Sequence, residues 1–356
     1  MINIKKIKHI EKLNCSQLER YPATRYMGSK QKLLPYIETV AQQCQFDMVV
    51  DLFSGSGIVS YLFKCKGKKV FSNDYMNMSY IFSKAMIENN NITFDLEQAK
   101  KLLIADEFFD NFVQKKFKDL YFSDQDNYLI DVIRHNIEKI ENEYQKSIAQ
   151  AALIRACMKK RPRGIFTYVG HRYDDGRKDL QKTFEQQFLE AIKNINAAIF
   201  DNKKDNKVCR GNALDFKENI QNALIYIDPP YYSQHSDNEY VRRYHFVEGL
   251  SLNWNGIEIQ EHTKTKKFKS YTTPFSNRKN TYEAFDQLFN QFREHKLLIS
   301  YSSNCLPTLE EMIDLLKKYK TQVDVFLIDY KYHFANQNNK VGDNNNDVQE
   351  YLFLAY

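Results

Sequence analysis

Short, almost unbroken apolar runs recur along the chain and are separated by amphipathic stretches. Residues 46–53 are apolar except at Asp47 and Asp51, the pattern of a strand buried on both faces. Leu33 to Gln43 before it repeats apolar positions at helical spacing, and Ile58 to Lys64 after it does the same. Between strand and second helix lies the turn Ser54-Gly55-Ser56-Gly57, and Gly67 then leads into a strand at Lys69–Ser72 that ends at Asn73-Asp74. Strand, glycine turn, helix, strand and acid in that order make a βαβ nucleotide-binding half. From about 76 to 205 the pattern is polar and helical, with few β-branched runs. Strand patterns resume at 208–213 and 223–228, then at 296–301, 321–327 and 350–355. Residues 1 to about 20 read as a charged, weakly helical lead-in, and Gln337–Asp347 as an Asn-rich hairpin loop. No internal repeat is present. The pattern predicts an α/β fold: a doubly wound, mostly parallel Rossmann-like sheet with an inserted, largely helical domain. Residues 1–80 and 206–356 form the sheet domain, and 81–205 the insert.

Composition narrows the class. With 356 residues the chain can bury a large core, and its 24 tyrosines and 25 phenylalanines leave rings to spare for surfaces or stacking. A net charge of +6 suits a polyanionic partner without demanding one. The six cysteines (15, 44, 65, 157, 209 and 305) are scattered, with no CxxC pair and no metal-type spacing; they read as reduced thiols, and no metal is expected. No apolar stretch approaches the roughly 18 residues of a transmembrane helix, and the first residues lack a signal-peptide core. The reading is a cytoplasmic protein with no membrane partner.

The chemistry concentrates in Asp228-Pro229-Pro230-Tyr231, at the end of the apolar run Ala223–Ile227. Two prolines stop a strand by fixing φ and removing ladder donors. They leave a carboxylate, prolyl carbonyls and an aromatic ring at a strand's carboxyl end, the edge where open α/β sheets bind ligands. Asp228 and the Pro229 carbonyl can both accept hydrogen bonds from an NH2 group, and Tyr231 can stack on the ring that bears it. The same string alone also reads as a simple turn. The glycine turn after Asp51 lacks the third glycine of a dinucleotide fingerprint, because Ser60 stands there. With no P-loop lysine and Phe53 beside the turn, a small nucleoside fits better than a phosphate chain. Asp74, about 20 residues on, suits both ribose hydroxyls, with a helix cap as the alternative.

Tyr26-Met27-Gly28-Ser29-Lys30, Asp51-Leu52-Phe53-Ser54-Gly55-Ser56-Gly57, Asn73-Asp74 and Asp228-Pro229-Pro230-Tyr231 follow one another in that order. In this the chain resembles the alpha group of S-adenosylmethionine-dependent DNA adenine-N6 methyltransferases, which includes the bacterial GATC methylases. The resemblance covers about 22–80 and 205–356. It implies that Tyr26, Met27, Gly28 and Lys30 form a loop at the cofactor's methionine moiety and the active site. It places Asp51, Phe53, Gly55 and Gly57 at the turn beneath that moiety. Asp74 falls on the ribose ligand, and Asp228 on the residue that faces both cofactor and target amine. Tyr231 falls on the ring stacked against a flipped base. Asn212 and Asp215 match the adenine-contacting positions only loosely. Catalysis would rest on Asp228, Pro229, Pro230 and Tyr231. Accepting both amine protons there favours a tetrahedral nitrogen whose lone pair points at the methyl. Base flipping costs a few kcal/mol, of which stacking on Tyr231 returns about 1–3 kcal/mol.

The remainder must come from backbone contacts. The basic stretch from Met158 to Tyr168 continues through Arg172 and Arg177. Lys159, Lys160, Arg161 and Arg163 are candidates for phosphate contacts, and Arg172 and Arg177 for guanine edges. A solvated charge run is the plain alternative. Arg242 and Arg243 follow the catalytic loop and are candidates for holding the target strand, and Lys264–Lys269 is a further basic cluster. The expected substrate is double-stranded DNA in a restriction–modification or defence setting, with a cognate restriction endonuclease as possible partner. Cytosine N4, RNA adenine, and an idle DNA-binding subunit remain alternatives; the last would be expected to lose Asp228, Tyr231 or the glycine turn.

Overall fold

A computed structural model describes residues 2–7, 10, 13–106, 108–170, 178–232, 239–328 and 349–356. Its eight strands are β1 (Ile2–Ile7), β2 (Met48–Asp51), β3 (Lys69–Asp74), β4 (Lys207–Arg210), β5 (Ala223–Ile227), β6 (Lys296–Ser302), β7 (Val323–Ile328) and β8 (Glu350–Ala355). They form one sheet in the order β1-β7-β8-β6-β5-β2-β3-β4. Only β8 runs antiparallel to its neighbours β6 and β7. Chain order reverses between β2 and β5: β3 lies on one side of β2, and β5 on the other. Ligands bind in such sheets at the carboxyl ends flanking the reversal. The glycine turn after β2 and Asp228 after β5 both sit there.

The strands alternate between two cores. Val49, Leu224, Tyr226 and Leu298 belong to one, and Val50, Ile225, Ile227 and Ile299 to the other. Helices Thr281–Gln291 and Leu309–Lys317 cover the second face. The first face is covered by Leu34–Ala41, Ile58–Cys65 and Asn77–Ser83, and its core continues into the helices of 96–198. At the centre of that layer runs Glu143–Lys159, buried on every side from Ala151 to Met158. A helix of that kind needs neighbours all round. It has them in Asp124–Ile137, Phe184–Ala198, Asn77–Ser83 and Tyr240–Ser251. The starts of these insert helices are set locally, by side-chain caps from Ser123, Asn142 and Thr183.

The expected helix, strand and turn positions from 33 to 74 hold to within a few residues. The lead-in does not. Residues 2–7 form edge strand β1, parallel to β7, and the following helix is only Ser16–Glu19. Ile2-Asn3-Ile4 alternates with period two, but the lysines after it obscure the pattern. Those lysines suit an edge strand, and Lys5 lies 3.4 Å from Asp324. The strand expected at 208–213 ends at Arg210, where Asn212 caps a 3-10 turn over Ala213–Asp215. The expected hairpin loop at 337–347 lies outside the described residues.

Candidate active site

The glycine turn and Asp74 are built as one unit. Ser54 N–H donates to the Asn73 carbonyl at 2.9 Å, joining the ends of β2 and β3. Asp74 then accepts from the backbone N–H of Gly55 at 2.7 Å and of Met76 at 2.8 Å. Gly55 has φ +51°, and a Cβ there would lie 3.0 Å from the Tyr26 ring. Glycine is therefore required both for the turn and for the ring's close approach. Gly57, at φ +80°, does a different job. It starts the Ile58–Cys65 helix under the Tyr21 hydroxyl, between the cavity-lining residues Ser56 and Ile58.

Asp51 is fully buried at the end of β2. One carboxyl oxygen accepts from the Ser60 hydroxyl at 2.7 Å. Ser60, the departure from the three-glycine fingerprint, thus holds the carboxylate instead. The other oxygen, Oδ1, has no hydrogen-bond partner among the described residues. Burial pushes the Asp51 carboxyl up to about 7, with Asp228 and Asp74 adding to the rise. Asp74 is pushed up to about 6, again by burial, against the pull of its two N–H donors.

The loop 26–30 is held from the helix Tyr240–Ser251. Met27 N–H donates to the Tyr244 hydroxyl at 2.7 Å. The Tyr26 ring stacks on Tyr244 (5.3 Å between centroids, 13°) and on Tyr240 (5.7 Å, 26°). Lys30 follows at the start of a 3-10 turn. Its Nζ lies 2.8 Å from Asp228 Oδ1, and 3.3 Å from both the Gly28 carbonyl and the Tyr231 hydroxyl. Burial works to discharge Lys30, but the carboxylates of Asp228 and Glu350 outweigh it and hold the amine protonated. Asp228 and Lys30 therefore meet as an ion pair across the sheet edge.

A cavity of about 180 Å³ joins these parts. Tyr26 to Lys30, Asp51, Phe53, Gly55, Asp74, Asp228 and Pro230 all line it. Pro229 is buried behind it. Tyr231 turns its hydroxyl inward, against Asp228 and 3.1 Å from the Ser300 carbonyl, with its ring edge-on to Tyr301. Asp215 is exposed and accepts from Asn212 Nδ2 at 3.2 Å, and from this segment Gly211, Asn212 and Ala213 line the cavity. Sequence reasoning missed Tyr240, Tyr271 and Glu350. The first two line the cavity from segments without a motif, and Glu350 arrives on β8, over a hundred residues after Asp228. A lone acid inside an otherwise apolar terminal strand was the available signal for Glu350.

The basic segment is largely turned inward. Arg161 is only 2% exposed, and its guanidinium donates to the carbonyls of Tyr121, Tyr168 and Gly170. DNA contact was expected of it, but the side chain is buried and its two terminal nitrogens are committed to these carbonyls, which turns it away from the surface. Lys159 lies 3.8 Å from Asp179, and Lys160 3.8 Å from Asp126. Arg163 is exposed, as is Arg242, while Arg243 is half-buried and its carbonyl accepts from Phe166 N–H at 2.9 Å. Arg172 and Arg177 lie outside the described residues. The segment also binds the chain just before the cofactor loop. Arg25 donates to the carbonyls of Lys159 and Arg161, both at 3.0 Å, and to Asp179 at 2.8 Å. Arg155 donates to those of Pro22 and Ala23.

A reversal-point cavity ringed by three carboxylates, with one of them followed by two prolines at a strand end, defines an α/β enzyme acting on an amine-bearing ring. The chain belongs to the D12 class N6 adenine-specific DNA methyltransferases, whose family model matches residues 26–302. It is 26% identical over 342 residues to the type II methyltransferase M2.HphI of Haemophilus parahaemolyticus, covering 90% of this chain and 95% of that one. It is 28% identical over 349 residues to the type II methyltransferase M.FokI of Planomicrobium okeanokoites, covering 92% of this chain but 52% of that protein, so it spans about half of the relative's length. The type II methyltransferase M.NlaIII of Neisseria lactamica is 23% identical over 353 residues, covering 92% and 98%. Adenine N6 in DNA is thus the site of methyl transfer. Among the described residues no cluster of three or more His, Cys, Asp or Glu is placed to hold a metal, and no helix is long and apolar enough to cross a membrane.

Proposed function

We propose that this chain transfers the methyl group of S-adenosylmethionine to N6 of an adenine flipped out of double-stranded DNA, as the modification partner of a restriction endonuclease. The observation that carries the donor's identity is the orphaned, buried Oδ1 of Asp51 in a cavity shared with Asp74 and Asp228. A buried carboxylate oxygen without a donor fits a cationic ammonium, and Asp51 and Asp74, the cavity acids not paired with Lys30, suit a positively charged ligand. S-adenosylmethionine supplies an electrophilic methyl on a sulfonium, together with such an ammonium and a ribose. Asp51 would hold the ammonium, Asp74 the ribose hydroxyls, and Tyr26 and Phe53 would pack on either side. Asp228 and the Pro229 carbonyl accept the two protons of the adenine amine and so aim its lone pair. Tyr231 gives the base a ring to stack on. The order of the motifs supports the alpha-group reading.

The division of labour follows from the same arrangement. Residues 81–205 would carry target recognition, with Arg163, Arg242 and Arg243 the strongest candidates for DNA contact and Lys159 and Lys160 at its margin. Arg172 and Arg177 remain candidates for base edges.

The test is transfer of label from S-adenosylmethionine to unmethylated genomic DNA, followed by nucleoside analysis, with duplex RNA in parallel. N6-methyladenine in DNA supports the proposal. Label in RNA alone, or transfer only from another donor, overturns it.

A further inference from the structure

The Lys30–Asp228 ion pair poses a difficulty that Glu350 resolves. An oxygen of Asp228 that is to accept a proton from the adenine amine is already held by Lys30 at 2.8 Å. Lys30 is 7% exposed, so it cannot be released without another counter-charge close by. The sheet provides one. Glu350 pairs with Ser302 in the β6–β8 ladder, and Leu352 with Ser300. Residues two apart on a strand share a face. Leu352 and Leu298 belong to the same core as Tyr226 and the helix Leu34–Ala41 that follows Lys30. Glu350 therefore stands on the face of the sheet occupied by Lys30, on the strand next to Ser300, whose carbonyl receives the Tyr231 hydroxyl. Glu350 is 6% exposed, and its Oε2 has no hydrogen-bond partner among the described residues. A buried acid left that way usually answers to something that moves or binds. The field of Glu350 acts on Lys30, and that of Lys30 on Glu350, whose carboxyl burial pushes up to about 7. No motif of the matched region 26–302 contains it.

We propose that Glu350 is the second counter-ion of Lys30: when the target amine engages Asp228, the Lys30 ammonium passes to Oε2 of Glu350, freeing Asp228 to accept. Glu350 is thus a positioning residue that acts through Lys30 and touches neither base nor cofactor. No bond forms or breaks in the hand-over, and the net charge of the three groups is unchanged.

The hand-over rests on the adenine-N6 reading, and its test separates the two. Single-turnover methylation of unmethylated genomic DNA is measured for the wild type, Glu350→Gln, Glu350→Asp, Lys30→Met and the Lys30→Met/Glu350→Gln pair. Binding of S-adenosylhomocysteine and thermal unfolding are followed for each. Absence of N6-methyladenine with the wild-type protein would strike the functional reading itself. Given wild-type transfer, Glu350→Gln is expected to slow the single-turnover step at least tenfold, with product-analogue affinity within threefold. In the Lys30→Met background the same change is expected to alter the rate by less than twofold, because coupled groups are non-additive. Glu350→Asp keeps the charge and should recover most of the rate. Equal losses in both backgrounds, an unaffected Glu350→Gln, or an Asp variant as slow as Gln would each overturn the proposal. If Glu350→Gln does not fold, the charged Asp variant still decides: full impairment with an unchanged melting temperature counts against the hand-over.

Discussion

At single residues, the site couples backbone geometry to charge. Gly55 must remain glycine because its backbone is left-handed and the Tyr26 ring fills the space of a Cβ. Gly55→Ala is expected to cost about 1–2 kcal/mol from the left-handed conformation alone. The check is chemical denaturation, with S-adenosylmethionine binding measured in parallel and expected to weaken as Tyr26 shifts. Asp228→Ala should lower methyl transfer by about 100- to 1,000-fold, the scale of a lost transition-state hydrogen bond, while leaving DNA binding in place. Gel-shift and labelled-transfer assays on one preparation separate those effects. Glycine turn, Asp74 and Asp228 were legible because each follows a strand whose apolar run announces itself. Tyr240 and Glu350 were not, since only the Tyr240–Ser251 helix brings Tyr240 to the cavity and only the folded sheet sets Glu350 on the face that Lys30 occupies.

Among the elements, the strands buried on both faces were the readable ones, and the edge was the unreadable one. Strands β2 and β5 are almost wholly apolar, and β6 is apolar through its centre, while β3 is marked by Val70-Phe71 between Gly67 and Asn73-Asp74. In β1 the Lys5–Lys6 pair hides the alternation that precedes it. The basic segment shows a second limit: a run of cations says nothing about which way each side chain turns. The Glu143–Lys159 helix and the turn after it direct Arg161 inward, so Arg161→Ala is expected to destabilise the fold by about 1–3 kcal/mol, chiefly through the buried Tyr121 carbonyl left without its donor. It should leave the salt dependence of DNA binding unchanged. Arg163→Ala, at an exposed position, should leave stability alone and reduce the slope of log affinity against log salt by about one. Thermal melts and salt titrations of both variants check the pair.

For the molecule as a whole, the buried acids make the sheet edge sensitive to pH. Asp51 and Glu350 titrate near 7 and Asp74 near 6, all raised by burial above the ordinary carboxyl range. Protonation is favoured in the folded state, so the stability these groups contribute is complete below their unfolded values. It is lost as pH rises through about 6 to 7. A cation bound beside Asp51 and Asp74, which line the cavity, reverses the trend for those two, because it is held by their ionised forms. S-adenosylmethionine is expected to bind more tightly as pH rises from 5 to 8, and Asp51→Asn to flatten that dependence. Calorimetry at fixed ionic strength checks both; a flat affinity would remove Asp51 from contact with the ammonium.

The tie between Arg25 and the basic segment also bears on how such a chain can diversify. Arg25 reaches the carbonyls of Lys159 and Arg161, and Arg155 those of Pro22 and Ala23, so the chain leading into loop 26–30 is fastened to the basic segment from both sides. A lineage acquiring a new target site can exchange the exposed side chains beyond this clasp without disturbing the chemistry. It cannot replace the segment wholesale, because the basic segment and the chain leading into loop 26–30 are buckled together by carbonyl groups that any graft must supply again.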